Sequence, residues 1–385
     1  MADIWKVRAD TGGTFTDAWA LTPEGEERRC KVLSDGSLVF KVTPAADDWY
    51  DLGRSFAFSD GAVVGLPLET GGTITASREN GRFLRLSIAL EGDRLILRTG
   101  EEAPILAARL LTCTPFPHKL PAMDFRVATT RGTNALLERK GARTALFVTR
   151  GFGDLPAIRD QRRAALFSLS QPDEETLCEE IVEIDARLDA TGDIVDPPDE
   201  TTVRREARRC VAAGIHVAAV AVLHSWRDPS LEQRVAAWLV EEGFQHVTTS
   251  SGVSPVIRFL PRLETAIADA WLAPVMKNFT GKVTAAMESG EPWMMTSAGG
   301  LVPASRYQPK DSLLSGPAGG LVGSAAVAKA AGFPKVLTFD MGGTSTDVAR
   351  IDGPPAFRYE QEIGPARVLA PALKIETVAA GGGSI

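Results

Sequence analysis

The sequence predicts an α/β fold with a largely buried sheet, and three observations carry that reading. From Val127 onward, short apolar runs alternate with longer segments of helical spacing, the pattern of strands covered by helices. Runs such as Thr144 to Thr149 and Val217 to Leu223 are apolar almost throughout, as strands buried on both faces are. The 385 residues are 44% hydrophobic and 24% charged, close to ordinary soluble globular proteins. That length allows two domains or one two-lobed unit.

The elements follow in order. Ile4 to Ala9 is the first strand candidate, and Ala18 to Leu21 is an apolar run after a Gly-rich tip; together they read as a β-hairpin. Residues 36 to 122 carry short alternating runs split by Gly, Asp and Asn, such as Phe83 to Ile88 and Arg94 to Leu97. This segment reads as a β-rich insertion. Thr133 to Lys140 is a helix stopped by Gly141. Thr144 to Thr149 and Ile181 to Ile184 are strands, and Asp189 to Asp193 is a turn leading to Pro197-Pro198. Glu200 to Ala213 and Ser230 to Glu242 are helices around a buried strand from Val217 to Leu223. Leu260 to Met287 is mostly helical, with Pro274 expected to kink or restart it. Met294 to Ala298 is a strand, Ser324 to Ala331 a helix and Val336 to Phe339 a strand.

The chemistry is concentrated in an internal repeat. Asp10-Thr11-Gly12-Gly13-Thr14-Phe15-Thr16-Asp17 recurs as Asp340-Met341-Gly342-Gly343-Thr344-Ser345-Thr346-Asp347, each copy between two strand candidates. Paired glycines let a backbone turn tightly and approach a ligand closely. Their N–H groups can form a concavity for phosphate, with Thr11, Thr14, Thr16, Thr344 and Ser345 as flanking hydroxyls. Asp10 and Asp340 would repel phosphate unless Mg²⁺ lay between them, held mostly through water. Two such loops gripping one nucleotide would supply positioning and charge neutralisation, which is most of what phosphoryl transfer needs. The other reading of either copy is a plain hairpin turn. Neither copy is a Walker A loop or a dinucleotide GxGxxG.

Ser315-Gly316-Pro317-Ala318-Gly319-Gly320 reads as a third glycine loop before a helix, either an anion site or a Gly-rich connection. Thr129 to Asn134 is a fourth candidate for phosphate or a substrate carboxylate, with an ordinary N-cap by Thr130 or Thr133 as the alternative. Arg159-Asp160-Gln161-Arg162-Arg163 is either a charged surface turn or part of the cleft. His118, His216, His224 and His246 show no metal-ligand spacing, and no GxSxG elbow exists.

The formal net charge of -7 gives no reason to expect nucleic-acid or anionic-membrane partners. Cys30, Cys113, Cys178 and Cys210 form no CxxC pair and read as reduced thiols of a cytosolic protein. The N-terminus lacks the pattern of a signal peptide. No apolar stretch approaches the ~20 residues that span a bilayer. A soluble, cytoplasmic protein is the expectation. The terminal Gly381-Gly382-Gly383-Ser384-Ile385, with no closing helix, suggests a chain cut from something longer.

These motifs resemble the hydantoinase A/5-oxoprolinase family. The resemblance rests on ADTGGTFTD at 9–17, TNALLERKGARTALFVTRGFGD at 133–154 and LFSL at 166–169. It continues with MTSAGGLV at 295–302, KDSLLSGPAGGLVG at 310–323, FDMGGTSTDVA at 339–349 and the terminal AGGGSI. It implies an actin-like ATPase with two ribonuclease H-like lobes closing over Mg-ATP. A first lobe over 1–200 would hold the insertion at 36–122. A hydantoinase/oxoprolinase domain over 201–385 would be incomplete at its C-terminus. The family's phosphate-loop roles carry onto Asp10, Gly12, Gly13, Thr14, Asp340, Gly342, Gly343 and Thr344. Gly316, Gly319 and Gly320 join them as nucleotide contacts, and Asp10 and Asp340 as the catalytic, magnesium-holding pair.

The activity implied is ATP-dependent opening of a cyclic amide, with 5-oxo-L-proline going to L-glutamate through phosphorylation of the lactam carbonyl. A hydantoinase B-type component, fused or separate, is the implied partner. The alternatives are an acetone- or acetophenone-type carboxylase subunit and a nucleotide-driven chaperone or reactivase, with a sugar or acetate kinase as a weaker one. The sequence departs from the family in two places. Residues 36 to 122 do not look like the helical linker expected there, and the chain stops early.

Overall fold

The computed structural model of the chain describes residues 4–55, 60–161, 167, 169, 176–342, 346–378 and 380–382. The chain divides into two compact units. One comprises Met1–Arg131, Asn278–Tyr307 and Ser315–Gly323; the other comprises Gly132–Lys277, Gln308–Leu314 and Ser324–Ile385. The fold is mixed α/β in both.

The first unit is built on a six-stranded sheet. Its order is Leu301–Pro303, Trp293–Met295, Met123–Thr129, Trp5–Thr11, Phe15–Leu21, Glu27–Leu33. The last three form an antiparallel meander, and Met123–Thr129 adds in parallel beside Trp5–Thr11. The expected first hairpin is present. Along Trp5–Thr11 the buried residues are Val7, Ala9 and Thr11, the period of two that puts one strand face on a core.

The expected insertion is also β-rich. Ser37–Lys41 pairs with Arg94–Arg98, and Thr43–Pro44, Trp49–Asp51, Phe83–Leu86 and Ile74–Arg78 form a second small sheet. It holds one element that the reading of 36–122 omitted, the helix Ala103–Thr112, which packs against the meander. Eight of its residues are buried, from Ala103 to Leu111. A helix apolar almost all round gives no polar stripe for periodicity to detect.

The second unit centres on a parallel sheet in the order Glu180–Ile184, Thr144–Thr149, Val217–Ala221, His246–Thr249. Ala145 and Phe147 pack on one face with Val203, Ala207, Leu231 and Val235. Leu146 and Val148 pack on the other with Leu263, Ala266 and Ala270. This two-sided burial is why the strand is apolar throughout. The flanking helices run Glu200–Ala212 and Ser230–Glu241, within a residue of expectation. Asp199 caps the first by accepting from the Thr202 N–H at 3.0 Å.

Three expectations change. The helix Phe259–Ala286 runs without a break through Pro274. Proline removes one backbone bond there, but Leu272, Ala273 and Met276 are buried around it, and packing holds the helix. The strand expected over 294–298 is only Trp293–Met295, because Thr296 turns back on Gly300. The short helix expected over 133–140 is Arg131–Leu137. The Thr129 hydroxyl accepts from the Arg131 N–H at 3.1 Å, while the Thr130 and Thr133 hydroxyls donate to the carbonyls of Thr11 and Leu313.

The Arg159-Asp160 segment is neither free nor purely superficial. Arg159 donates to the Pro365 carbonyl at 2.8 Å, and Arg367 donates to Asp160 at 2.8 Å. Arg162 and Arg163 lie outside the described residues. Glu264, its side chain only 8% exposed, sits 2.9 Å from the Arg367 Nε. Burial pushes its carboxyl up to about 7. Above the usual glutamate range and below 7, the folded chain therefore keeps a proton that the unfolded chain has lost. Stability from this group is present at low pH and falls as pH rises from about 4.5 to 7. Half-buried His246, held down to about 4 by desolvation, acts in the opposite sense between 4 and the ordinary histidine value of 6.5. The difference between wild type and Glu264→Gln isolates the glutamate: thermal melts of the variant should gain relative to wild type as pH rises through that window.

Candidate functional site

The two copies of the repeat fold as hairpins of the same register. In the first, Asp10 pairs with Asp17 and Thr11 with Thr16; in the second, Asp340 pairs with Asp347 and Met341 with Thr346. Each therefore presents an aspartate one residue before the strand's last. Gly343, Thr344 and Ser345 lie outside the described residues.

In the first unit, the tip closes through the Gly12 N–H, which donates to the Phe15 carbonyl at 3.0 Å. A Cβ on Gly12 would stand 3.2 Å from that oxygen, so the turn needs a residue without one. Gly13 and Thr14 are exposed. The Thr16 hydroxyl is buried and bonded to Ser34 at 3.1 Å, which commits it to holding the hairpin. The Thr11 hydroxyl is buried and has no hydrogen-bond partner. A buried polar atom of that kind ordinarily finds water or a ligand.

The Ser315–Gly320 segment is the beginning of a helix, Ser315–Ala330, rather than a loop before one. No side chain caps its N-terminus, and Ser315 pins it to the end of strand Met123–Thr129 through the Thr129 carbonyl at 2.6 Å. Glycine permits the close approach. A Cβ on Gly316 would lie 3.1 Å from the Thr130 methyl and 3.7 Å from the Asp10 carboxylate. The first helical N–H groups have no partner within a helix and carry its positive end. Here they stand beside Asp10 and Thr130, at the carboxyl ends of two parallel strands.

Gly319 and Gly320 have a different part. They lie past the first N–H groups, and their amides belong to the helix ladder. A Cβ on Gly319 would make ordinary contact with Ala128 at 3.5 Å, and one on Gly320 would meet no described atom within 4 Å. Gly316→Val would place bulk between the helix end and Asp10. Nucleotide affinity of the variant should drop at least about tenfold, measured by titration with a fluorescent nucleotide.

In the second unit, the terminal glycine segment joins the second hairpin, which sequence reasoning missed. Strand Glu376–Val378 pairs with Thr346–Asp352. The Gly382 N–H then donates to the Gly342 carbonyl at 2.9 Å, and the Thr346 hydroxyl to the Ala380 carbonyl at 2.5 Å. Asp340 is exposed at its strand's end, and Asp347 accepts from Thr377 at 2.6 Å. The only available hint was the glycine run itself, which names no partner.

Among the described residues no group of three or more His, Cys, Asp or Glu is placed to hold a metal. The fit to a divalent cation is of another kind: Asp10 is exposed beside a helix N-terminus, and a lone carboxylate of that sort can hold Mg²⁺ through water. No described helix is long and apolar enough to cross a membrane.

Comparison with known proteins bears on the family and the fold. The hydantoinase/oxoprolinase N-terminal region matches residues 120–243, and hydantoinase/oxoprolinase matches residues 262–385. The chain is 40% identical over 283 residues to 5-oxoprolinase 1 of Arabidopsis thaliana, covering 67% of this chain and 22% of that one. It is 38% identical over 295 residues to the 5-oxoprolinase of Saccharomyces cerevisiae, covering 68% and 23%. It is 30% identical over 291 residues to the acetophenone carboxylase gamma subunit of Aromatoleum aromaticum, covering 69% and 40%. The chain thus spans less than a quarter of the length of these oxoprolinases. In fold it is similar to nucleotide-free acetone carboxylase, with a TM-score of 0.68 at 20% identity over 98% of this chain and 48% of that one. It is equally similar to the ATP-dependent caprolactamase of Pseudomonas jessenii, with a TM-score of 0.68 at 23% identity over 99% and 48%.

Proposed function

The chain belongs to the hydantoinase/oxoprolinase family, and from that premise we propose that it supplies the nucleotide-binding part of an enzyme that spends ATP to open a cyclic amide. The substrate we assign is 5-oxo-L-proline, giving L-glutamate. One observation carries the proposal: the exposed Asp10 carboxylate and the N-terminus of helix Ser315–Ala330 meet at one end of a sheet, with Gly316 between them.

An amide resists water because its nitrogen donates into the carbonyl. Transfer of the γ-phosphoryl group to the lactam oxygen removes that donation and leaves a carbon that water can attack. That water adds, the ring C–N bond breaks as the nitrogen takes a proton, and a second water cleaves the resulting acyl phosphate to carboxylate and phosphate. The N–H groups of Gly12, Gly13 and the helix end around Gly316 orient phosphate oxygens, and the Thr11 and Thr14 hydroxyls donate to them. Gly342, Gly343, Thr344 and Ser345 serve similarly in the second hairpin. Asp10 and Asp340 would hold the water shell of Mg²⁺, which when bound would offset the charge of the phosphates. The actin-like arrangement of two ribonuclease H-like lobes, divided as 1–200 and 201–385, belongs to the same reading. Its support is the antiparallel meander with strands added in parallel beside its first member. A B-type component, fused or separate, completes the hydrolytic half.

The test is ATP hydrolysis by the chain together with a B-type component, with and without 5-oxo-L-proline. Phosphate release should rise at least about tenfold with the lactam. An unchanged rate with 5-oxo-L-proline and with hydantoins alike refutes ring opening. The likeness to a carboxylase gamma subunit favours one second reading, activation of a ketone for carboxylation; phosphate release requiring ketone and bicarbonate would select it.

A further inference from the structure

The segment before residue 120 lies outside both family matches, and it contains a cleft of about 450 Å³. That volume falls in the range of small-molecule sites. One wall is strand Glu27–Leu33, the outer edge of the six-stranded sheet. The other is Ser37–Lys41, which pairs with Arg94–Arg98.

The lining has two characters. Arg29, Lys31, Arg54 and Arg94 all face the cleft, and none of its described lining residues is acidic. In a chain of net charge -7 a concentration of four cations runs against the average. Lys31 lies 3.0 Å from Asp17 and Arg29 3.6 Å from Glu27, both outside the lining. Both pairs are well exposed, so they cancel little of the field. Arg94 has no acidic partner among the described residues. A recess lined by one sign of charge concentrates the opposite ion. The second character is apolar. Phe15, 45% exposed, and Val39, 39% exposed, line the same cleft with buried Leu38 and Phe40. Cys30 also faces it, and burial lifts its thiol to about 11, so it adds no negative charge.

We infer that this cleft binds a small amphiphilic anion, its carboxylate or phosphate head set among Arg29, Lys31 and Arg94 and its apolar body against Phe15 and Val39. Either head meets the same cations, and an edge strand supplies further backbone donors. A bare inorganic ion would leave the apolar wall in water, and a neutral apolar ligand would leave the cations unused.

Calorimetric titration of the full 385-residue chain decides the matter. Octanoate and hexyl phosphate share an apolar chain and differ in head; acetate and inorganic phosphate are the heads alone. At least one chain-bearing probe should bind saturably at one site, more weakly at high salt. Arg29→Glu with Arg94→Glu should weaken it at least about tenfold, and Val39→Asp at least about threefold. The substituted positions are exposed, and melting curves verify that the variants stay folded. Octanoate or hexyl phosphate as the better ligand identifies the head. The proposal is overturned if neither chain-bearing probe binds saturably. It is equally overturned if the double variant binds as wild type does, or if the heads alone bind as tightly.

Discussion

Asp10→Asn should lower magnesium-dependent ATP turnover about 10²–10³-fold while leaving the melting temperature nearly unchanged. Asparagine keeps the shape of aspartate and removes the charge that a water-held divalent cation requires. Asp10 is exposed at its strand's end, so little packing is lost with it. The equivalent change at Asp340, exposed in the same register of the second hairpin, should act alike. Asp17 provides the contrast. It belongs to the repeated octapeptide, yet it faces Lys31 at 3.0 Å, and Asp17→Asn should cost no more than a few-fold. Steady-state phosphate release across magnesium concentrations separates the three. Wild-type rates in both Asp10→Asn and Asp340→Asn would remove the assigned roles.

Glu232→Ala should be the most destabilising single change in the second unit, about 3–5 kcal/mol. Glu232 is fully buried. It accepts from the Val222 N–H at 2.8 Å, the Ser225 hydroxyl at 2.7 Å, the Ser251 N–H at 2.9 Å and the Ser250 and Ser251 hydroxyls. These partners follow two neighbouring strands of the parallel sheet, Val217–Ala221 and His246–Thr249. Arg262, also fully buried, shares the network through Ser225 and the Val222 carbonyl. Truncation leaves that guanidinium without its buried counter-charge and strands two backbone donors. A denaturant series should show a lower midpoint with an unchanged slope. Glu232→Gln should fall between the two.

Much of this was legible in the chain. The hairpins followed from a Gly-rich tip between apolar runs, and Thr144–Thr149 followed from β-branched and apolar residues bounded by turn signals. The helix Ser230–Glu241 followed from a spacing that puts Leu231, Val235 and Leu239 on one side. The helix Ala103–Thr112 escaped because burial all round erases periodicity. Ser315–Gly320 misled for the opposite reason: glycine and proline are poor helix formers, so six residues rich in them read as a loop. Packing against Thr129, Ala128 and Thr130 outweighs that propensity.

By itself, then, the sequence determined the repeated strand-tip-strand unit, its aspartates and its glycines. Turn geometry and strand alternation depend on residues only a few positions apart, and such residues are written side by side. The tertiary structure alone decided that Gly316 and Thr130 meet the first aspartate, that Gly382 meets the second tip, and that Asp17 and Thr16 are occupied elsewhere. Those meetings depend on sheet order and on which helix end can come within contact of which strand end. They are fixed by long-range packing, to which neither local spacing nor local propensity gives access.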